Sequence, residues 1–161
     1  MVAHQGADVP VSGPALVDLL QAVLAKGAQF RFRAAGFSMA PLVKDGDVVT
    51  ISPLQERPPG LGDVVAFIHP GSGKLCVHRV VRKKKDSFFI RGDNAPVPDG
   101  LVRKADILGR VTALERNGRR IYLGLGPERV LIALLSGRGP LSSPLLPLWK
   151  LVRPLFKRKR A

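Results

Sequence analysis

The sequence of 161 residues is poor in cysteine, in aromatic side chains and in long apolar runs. Its one cysteine, Cys76, excludes an intrachain disulfide framework and fits a reducing compartment. Aromatic residues make up only 6%, so no stacking platform for single-stranded nucleic acid stands out. No uninterrupted apolar run reaches the roughly 18 residues that a spanning helix needs. The first residues also lack the basic start and apolar stretch of a signal peptide. We therefore expect a cytoplasmic protein.

Acidic residues are also scarce, with 12 against 26 basic residues and a net charge of +14. Residues 1–60 hold five of each sign, whereas residues 61–161 hold 21 basic and seven acidic residues. A basic surface of this kind attracts nucleic acid, acidic peptides or anionic lipid. Because no recognition helix is evident, we do not expect nucleic acid to be the partner.

Glycine and proline are abundant, with 17 and 14 residues, and 45% of the chain is hydrophobic. This composition predicts one folded domain built from many short strands and turns. Alternating or β-branched segments predict antiparallel strands at residues 29–33, 48–51, 62–68, 75–81, 87–90, 107–111 and 120–123. Asn117-Gly118 between the last two is a strong hairpin signal.

An amphipathic helix is predicted near the N-terminus, beginning around Ser12-Gly13-Pro14 and ending at Gly27. Its apolar side chains recur at helical spacing, at Leu16, Leu19, Leu20, Val23 and Leu24. Such a stripe favours packing on the domain, and the alternative is a helix that contacts a membrane or a partner.

The C-terminal part differs in character from the strand region. Residues 128–135 predict a short helix that stops at Gly137, and a Pro- and Leu-rich stretch with Trp149 leads to Lys157-Arg158-Lys159-Arg160. Residues 138–161 suit peripheral contact with an anionic membrane, or a tail that wraps on the domain or stays disordered. The chain thus divides into a lead-in with helix (1–28), a β domain (29–126) and a helical, apolar and basic tail (127–161).

The first candidate catalytic residue is Ser38, which lies in a predicted turn between Gly36 and Pro41. Taken alone, such a serine is an ordinary turn residue. Downstream, however, stand Val77-His78-Arg79-Val80 and Gly92-Asp93-Asn94. A hydroxyl, an imidazole and carboxylates in separate segments are the components of a serine hydrolase, in which geometry matters and chain order does not.

The order and spacing of these motifs resemble the signal peptidase and LexA-type serine peptidase group, also called S24/S26-like. The resemblance covers about residues 28–112 and rests on Ser38-Met39-x-Pro41, on Val77-His78-Arg79-Val80 and on Gly-Asp pairs at 46–47, 62–63 and 92–93. It implies a mostly antiparallel β fold. It also implies a serine endopeptidase that cuts a leader or propeptide through an acyl-enzyme, without a metal or other cofactor.

Within that group, histidine in place of a lysine base is typical of the endoplasmic-reticulum and archaeal branch. By this match Ser38 is the nucleophile and His78 the general base, and an imidazole needs less tuning than a lysine for that role. Asp99 is the preferred orienting acid, while Asp93 is expected to hold its turn together. If His78 faces the core, His69 is the alternative base.

Support for the reaction is predicted around the same motifs. The resemblance places an oxyanion donor two residues before the nucleophile, but Gly36 has no side chain there, so the backbone N–H of Ser38 remains the candidate donor. Gly36, Met39 and Asp93 are expected to support the oxyanion site and its turn. Candidate strands for holding an extended substrate contain Phe32 and Arg33, and Val64 and Val65.

One alternative function remains open from the sequence. The missing side-chain donor at Gly36 and the basic surface also suit a non-catalytic module that binds peptides or an anionic surface. Cys76, one pleat from His78, is predicted to be a small buried hydrophobic residue and not a nucleophile.

Overall fold

The computed structural model describes residues 13–54 and 57–138. Helices α1 and α2 span Pro14–Ala25 and Arg129–Ser136. Strands β1 to β8 span Phe30–Arg33, Val48–Ser52, Val64–Ile68, Leu75–Lys83, Ser87–Arg91, Gly100–Arg103, Ile107–Arg116 and Arg119–Ile121. Residues 1–12 and most of the predicted basic tail lie outside the described residues, and the threefold division of the chain stays a prediction.

All strand pairs are antiparallel, in the order β1-β2-β7-β3-β4-β5-β6, with β8 paired to β7. The mostly β fold class with flanking N- and C-terminal helices is therefore confirmed. The Asn117-Gly118 hairpin is also confirmed, since both residues have positive φ angles of 51° and 73°, as this tight turn requires.

Helix α1 packs on the sheet, as its apolar stripe predicts. Leu20 and Leu24 are buried in one core cluster with Val49, Ile51 and other strand residues. A Cβ atom on Gly109 of β7 would lie 2.5 Å from Ile51 Cγ2 and 3.1 Å from Leu24 Cδ1. The bare glycine backbone thus lets the helix and β2 approach β7 closely.

Two strand edges matter for the site. Strand β1 lies at the end of the sheet, and β2 is its one partner among the strands that the structure describes. Strand β4 pairs with β3 along Leu75–Arg79, but its pairing with β5 begins only at Arg79. The first half of β4 therefore has one edge without a strand partner among the described residues.

Helix α2 begins at Arg129, one residue later than expected, and packs against β4. Strand β6, at Gly100–Arg103, was not predicted from the sequence, and it pairs with β5. Among the described residues, no helix has the length and apolar character needed to cross a membrane.

Candidate active site

Ser38 lies exposed in the loop between β1 and β2. Gly36 has a φ of 96°, and its backbone N–H donates to the Asp45 carboxylate over 2.9 Å. From across the site, the N–H of Asn94 donates to the carbonyl oxygen of Ser38 over 2.7 Å. The loop that carries the hydroxyl is therefore held from both sides, which fixes where Ser38 points.

The Ser38 hydroxyl, the His78 ring and the Asp99 carboxylate form one hydrogen-bonded chain. Ser38 Oγ lies 2.8 Å from His78 Nε2, and His78 Nδ1 lies 2.7 Å from Asp99 Oδ2. An ionised carboxylate only accepts hydrogen bonds, so Nδ1 carries the proton and donates to Asp99. Nε2 of the neutral ring is then free to accept the hydroxyl proton of Ser38, as a general base requires.

His78 and Asp99 are largely shielded from water. The side chains of His78 and Asp99 are only 11% and 9% exposed, and the buried ring of Phe67 lies 6.0 Å from the imidazole. Asp99 lies just before β6, and its N–H donates to the Ile90 carbonyl. In such surroundings a hydrogen bond is stronger than in water, and the imidazole has little freedom to turn away.

Asp93 has a different partner from Asp99. It binds Arg79 through two contacts, Nε to Oδ1 at 2.8 Å and Nη2 to Oδ2 at 2.7 Å, and both residues are almost fully buried. Arg79 Nη1 also donates to the carbonyls of Gly62 and Gly124. The pair fixes the turn that follows β5, and Asp93 does not contact the His78 ring.

Gly92 is a site residue that the sequence analysis did not single out. A Cβ atom there would lie 2.7 Å from the Ser38 carbonyl oxygen and 3.1 Å from His78 Nε2. Only glycine therefore lets the turn after β5 lie directly against the serine loop and the imidazole. The Gly-Asp-Asn pattern hinted at a turn, but no sequence signal gave this spatial constraint.

His69 also lies near the Asp99 carboxylate, but its role differs from that of His78. Its Nδ1 accepts hydrogen bonds from the N–H groups of Gly71 and Ser72, each at 3.1 Å. Its Nε2 lies 3.8 Å from Asp99 Oδ1, the oxygen that does not contact His78. Since His78 does not face the core but reaches Ser38, the geometry gives no reason to make His69 the base.

The remaining support residues lie around the serine loop. Met39 is buried, and its sulfur accepts a hydrogen bond from the Asp93 N–H at 3.4 Å. The N–H of Ser38 has no acceptor within the described parts of the chain. It is therefore available to an incoming oxygen. The φ of 96° at Gly36 is one that other residues rarely adopt, which gives a backbone reason for the missing side-chain donor there.

Ser38 and His78 open into a cleft of about 730 Å³. Its walls come from the β1 edge with Phe32 and Arg33, from the β4 edge with Leu75, Cys76 and Val77, and from the first turn of α1. Apart from Arg33 and Lys74, the lining is mostly apolar. The cleft runs between two strand edges that have no strand partner among the described residues, and an extended peptide can add to such edges.

The expectation that Val64 and Val65 hold substrate is wrong. Both side chains are buried, at 1% and 0% exposure, and β3 pairs with β4 and with β7. A central strand has no free edge to offer. The second wall is formed instead by residues 75–77 of β4, which the sequence analysis did not identify as a substrate strand.

Cys76 lies half-buried in the cleft wall. Burial raises the pKa of its thiol, and the nearby negative charge of Asp99 raises this pKa further. A thiol held protonated is a poor nucleophile. Within the described residues, no group of three or more His, Cys, Asp or Glu side chains is arranged to hold a metal ion.

Comparison with known proteins agrees with this architecture. The sequence pattern of Peptidase S24-like proteins matches residues 8–112, which is more than half of the 161 residues. Comparison with curated protein sequences gave no match. The match spans α1, strands β1 to β6 and the loops between them, and it therefore includes Ser38, His78 and Asp99. The chain therefore belongs to the Peptidase S24-like family.

Proposed function

We propose that this protein is a serine endopeptidase in which Ser38 is the nucleophile, His78 the general base and Asp99 the carboxylate that orients His78. The observation that carries the proposal is the unbroken chain of short contacts from Ser38 Oγ through the His78 ring to Asp99. A buried acid, an imidazole and an exposed hydroxyl in that order are the arrangement of a catalytic triad.

In the first half-reaction, Ser38 Oγ attacks the carbonyl carbon of the scissile peptide bond and its proton moves to His78 Nε2. The resulting oxyanion is stabilised by the N–H of Ser38, which has no acceptor within the described residues. His78 then gives the proton to the departing amine as the C–N bond breaks. Asp99 stabilises the positive charge that the imidazole carries between these two transfers.

In the second half-reaction, water replaces the amine. His78 takes a proton from the water, whose oxygen attacks the acyl carbon, and then returns a proton to Ser38 Oγ as the ester bond breaks. The products are two peptides, one with a new carboxylate and one with a new amine. No group beyond the chain's own side chains and water is required.

The substrate proposed here is an extended peptide that lies between the β1 and β4 edges. Main-chain hydrogen bonds to these edges supply affinity, and the mostly apolar lining favours apolar side chains next to the cut. An unfolded leader or propeptide meets both needs. The histidine base likewise supports a likeness to the endoplasmic-reticulum and archaeal branch of the signal peptidases.

A mixture of unfolded peptides tests this proposal without a known substrate. After incubation, mass spectrometry identifies new peptide ends produced by the wild type and by Ser38→Ala. Ser72→Ala is the matched control, because Ser72 is another hydroxyl on the same cleft. We expect cleavage by the wild type and Ser72→Ala but not by Ser38→Ala. Cleavage by Ser38→Ala would contradict the proposal.

The alternative function is a module that binds a peptide in the same cleft without cutting it. The absence of a side-chain donor at Gly36 favours this alternative. The same experiment separates the two functions. Peptides that are retained by the wild type in unaltered form, with no new ends, would indicate a binding module.

A further inference from the structure

Helix α2 turns its apolar side away from the domain. Leu131, Leu134 and Leu135 are 60%, 48% and 46% exposed, and Val130 is also exposed, whereas Ser136 is fully buried. With about 3.6 residues per turn, these four apolar residues share one face. In most surface helices the apolar face is the buried one, so the arrangement of α2 calls for a partner.

The segment before α2 also exposes apolar side chains. Tyr122 and Leu123 are 73% and 60% exposed. The turn between them and α2 is tightened by the Glu128 carboxylate, which accepts hydrogen bonds from the N–H groups of Gly124 and Gly126. The α2 surface, as we name it, consists of Tyr122, Leu123, Val130, Leu131, Leu134 and Leu135.

The exposed charges next to the α2 surface are mostly positive, although the Glu128 carboxylate lies in the turn before α2. Arg120 and Arg138 are exposed next to the α2 surface, and the Arg120 guanidinium lies 5.8 Å from the centre of the Tyr122 ring. From Arg129 to the end of the chain there are eight basic residues and no acidic residue. A complementary partner must therefore be both apolar and negatively charged.

We propose that the α2 surface docks on an anionic lipid bilayer, with α2 lying in the plane of the interface. The leucines enter the boundary between headgroups and acyl chains, and the arginines meet the headgroup phosphates. Tyr122 suits the interface because its ring is apolar and its hydroxyl remains hydrated. With eight residues, α2 is too short to cross the bilayer and is suited only to lie on it.

Two other candidate partners of the α2 surface are less complementary to its positive charge. The 23 residues after Arg138 are rich in leucine but carry six basic residues and no acidic one, so they offer cover without a complementary charge. A second copy would bring the same arginines face to face. An anionic bilayer supplies both an apolar layer and negative charge.

The test uses the full chain and vesicle co-sedimentation. Vesicles of phosphatidylcholine alone are compared with vesicles that also contain phosphatidylglycerol. The variant Leu131→Gln/Leu134→Gln is compared with the control Leu19→Gln/Leu101→Gln, whose two leucines are exposed to a similar degree, 46% and 47%, on other elements. Thermal melts show that each variant is folded.

We expect the wild type and the control to bind the anionic vesicles, with binding weakened by salt. The α2 variant should bind these vesicles at least about tenfold more weakly than the wild type. Equal binding by the α2 variant and the wild type would overturn the proposal, because residues beyond Arg138 would then carry the contact. Absence of wild-type binding would also overturn it. So would self-association that the wild type shows in solution and the α2 variant loses, since that result identifies a second copy as the partner. Peptidase activity plays no part in the test.

Discussion

The Asp99 carboxylate and the His78 imidazole are joined by a contact of 2.7 Å between Oδ2 and Nδ1. Six residues earlier, Asp93 is bound instead to the buried guanidinium of Arg79. The two carboxylates that the sequence offered for the same role thus have different partners. One faces the proposed base, and the other fixes a turn, so their substitutions should have different effects.

Substitution of Asp99 by Asn should reduce catalysis more than stability. Without the carboxylate, the tautomer of His78 is no longer fixed and the imidazolium is no longer stabilised. We expect kcat to fall by about 10²-fold to 10⁴-fold while the melting temperature changes little. The measurement is kcat on a cleaved peptide together with a thermal melt. An Asp99→Asn variant of wild-type activity would show that Asp99 does not orient the base.

Substitution of Asp93 by Asn should instead reduce stability. Removing one partner of a buried ion pair leaves Arg79 charged and unpaired, at a cost of about 3–5 kcal/mol. Chemical denaturation measures this loss in the free energy of unfolding. A stable Asp93→Asn protein would contradict the structural role that we assign to the Arg79 pair.

Gly92→Ala tests the close approach of the turn to the site. The added methyl group would lie 2.7 Å from the Ser38 carbonyl oxygen and 3.1 Å from His78 Nε2, so the serine loop or the imidazole must move. We expect at least a tenfold loss in kcat, roughly what misplacement of a catalytic group causes. Gly60→Ala is the control, because its nearest neighbour would lie 3.7 Å away at an ordinary contact distance. Equal activity of both variants would show that the site tolerates the methyl group.

Cys76 offers a reporter for the cleft, since it is the only cysteine. Burial and then the Asp99 charge raise the pKa of its thiol, so alkylation by iodoacetamide should require a higher pH than for an exposed thiol. Removing the negative charge in Asp99→Asn should lower this pKa and make alkylation faster at a given pH. The rate of alkylation, followed by intact mass against pH, measures both effects. An unchanged pH profile in Asp99→Asn would contradict the electrostatic link between the two residues.

The Asp47–Arg116 ion pair should make stability depend on pH. Burial alone would raise the pKa of Asp47, but hydrogen bonds from Arg116 and from the Lys44 N–H outweigh it and lower this pKa. The pair therefore stabilises the fold at pH values above the ordinary aspartate pKa of about 3.9, and this stabilisation is lost as the pH falls through the lowered value. Asp47→Asn should lower the free energy of unfolding at neutral pH by about 1–2 kcal/mol, because Arg116 is partly exposed and screened.

Thermal melts of the wild type and Asp47→Asn across the acidic range check this expectation. The two melting curves should approach one another as the pH falls below about 4. A constant difference between them at every pH would indicate that the substitution acts through packing and not through the charge.

Local patterns in the sequence predicted much of the fold. Alternation and β-branched residues predicted seven of the eight strands. The apolar stripe of α1 predicted the side that packs on the core, with the exception of Leu19, which is 46% exposed. Strand β6 was missed because Gly100–Arg103 is short and follows two prolines closely. Its existence depends on pairing with β5, which is a tertiary contact and leaves little local signal.

The candidate site was predictable in its residues but less so in its surroundings. Spacing and the family resemblance brought together Ser38, His78 and Asp99, which the fold joins by hydrogen bonds. The run at Val64 and Val65 is apolar throughout, which is typical of a central strand and argues against the predicted role in substrate binding. The open edge of β4 depends on where β5 begins to pair, and the space around Gly92 depends on how the serine loop and β4 meet the turn after β5. Neither can be read from local sequence.

The most direct test of the account is covalent labelling by a fluorophosphonate, followed by peptide mapping. The account predicts one adduct, on Ser38 Oγ, that is absent from Ser38→Ala and forms at least about 10²-fold more slowly in His78→Ala than in the wild type. His69→Ala, the matched histidine control, should label at close to the wild-type rate. A wild type that gains no adduct on Ser38, or a His78→Ala variant that is labelled as fast as the wild type, would contradict the claim that this imidazole activates this hydroxyl.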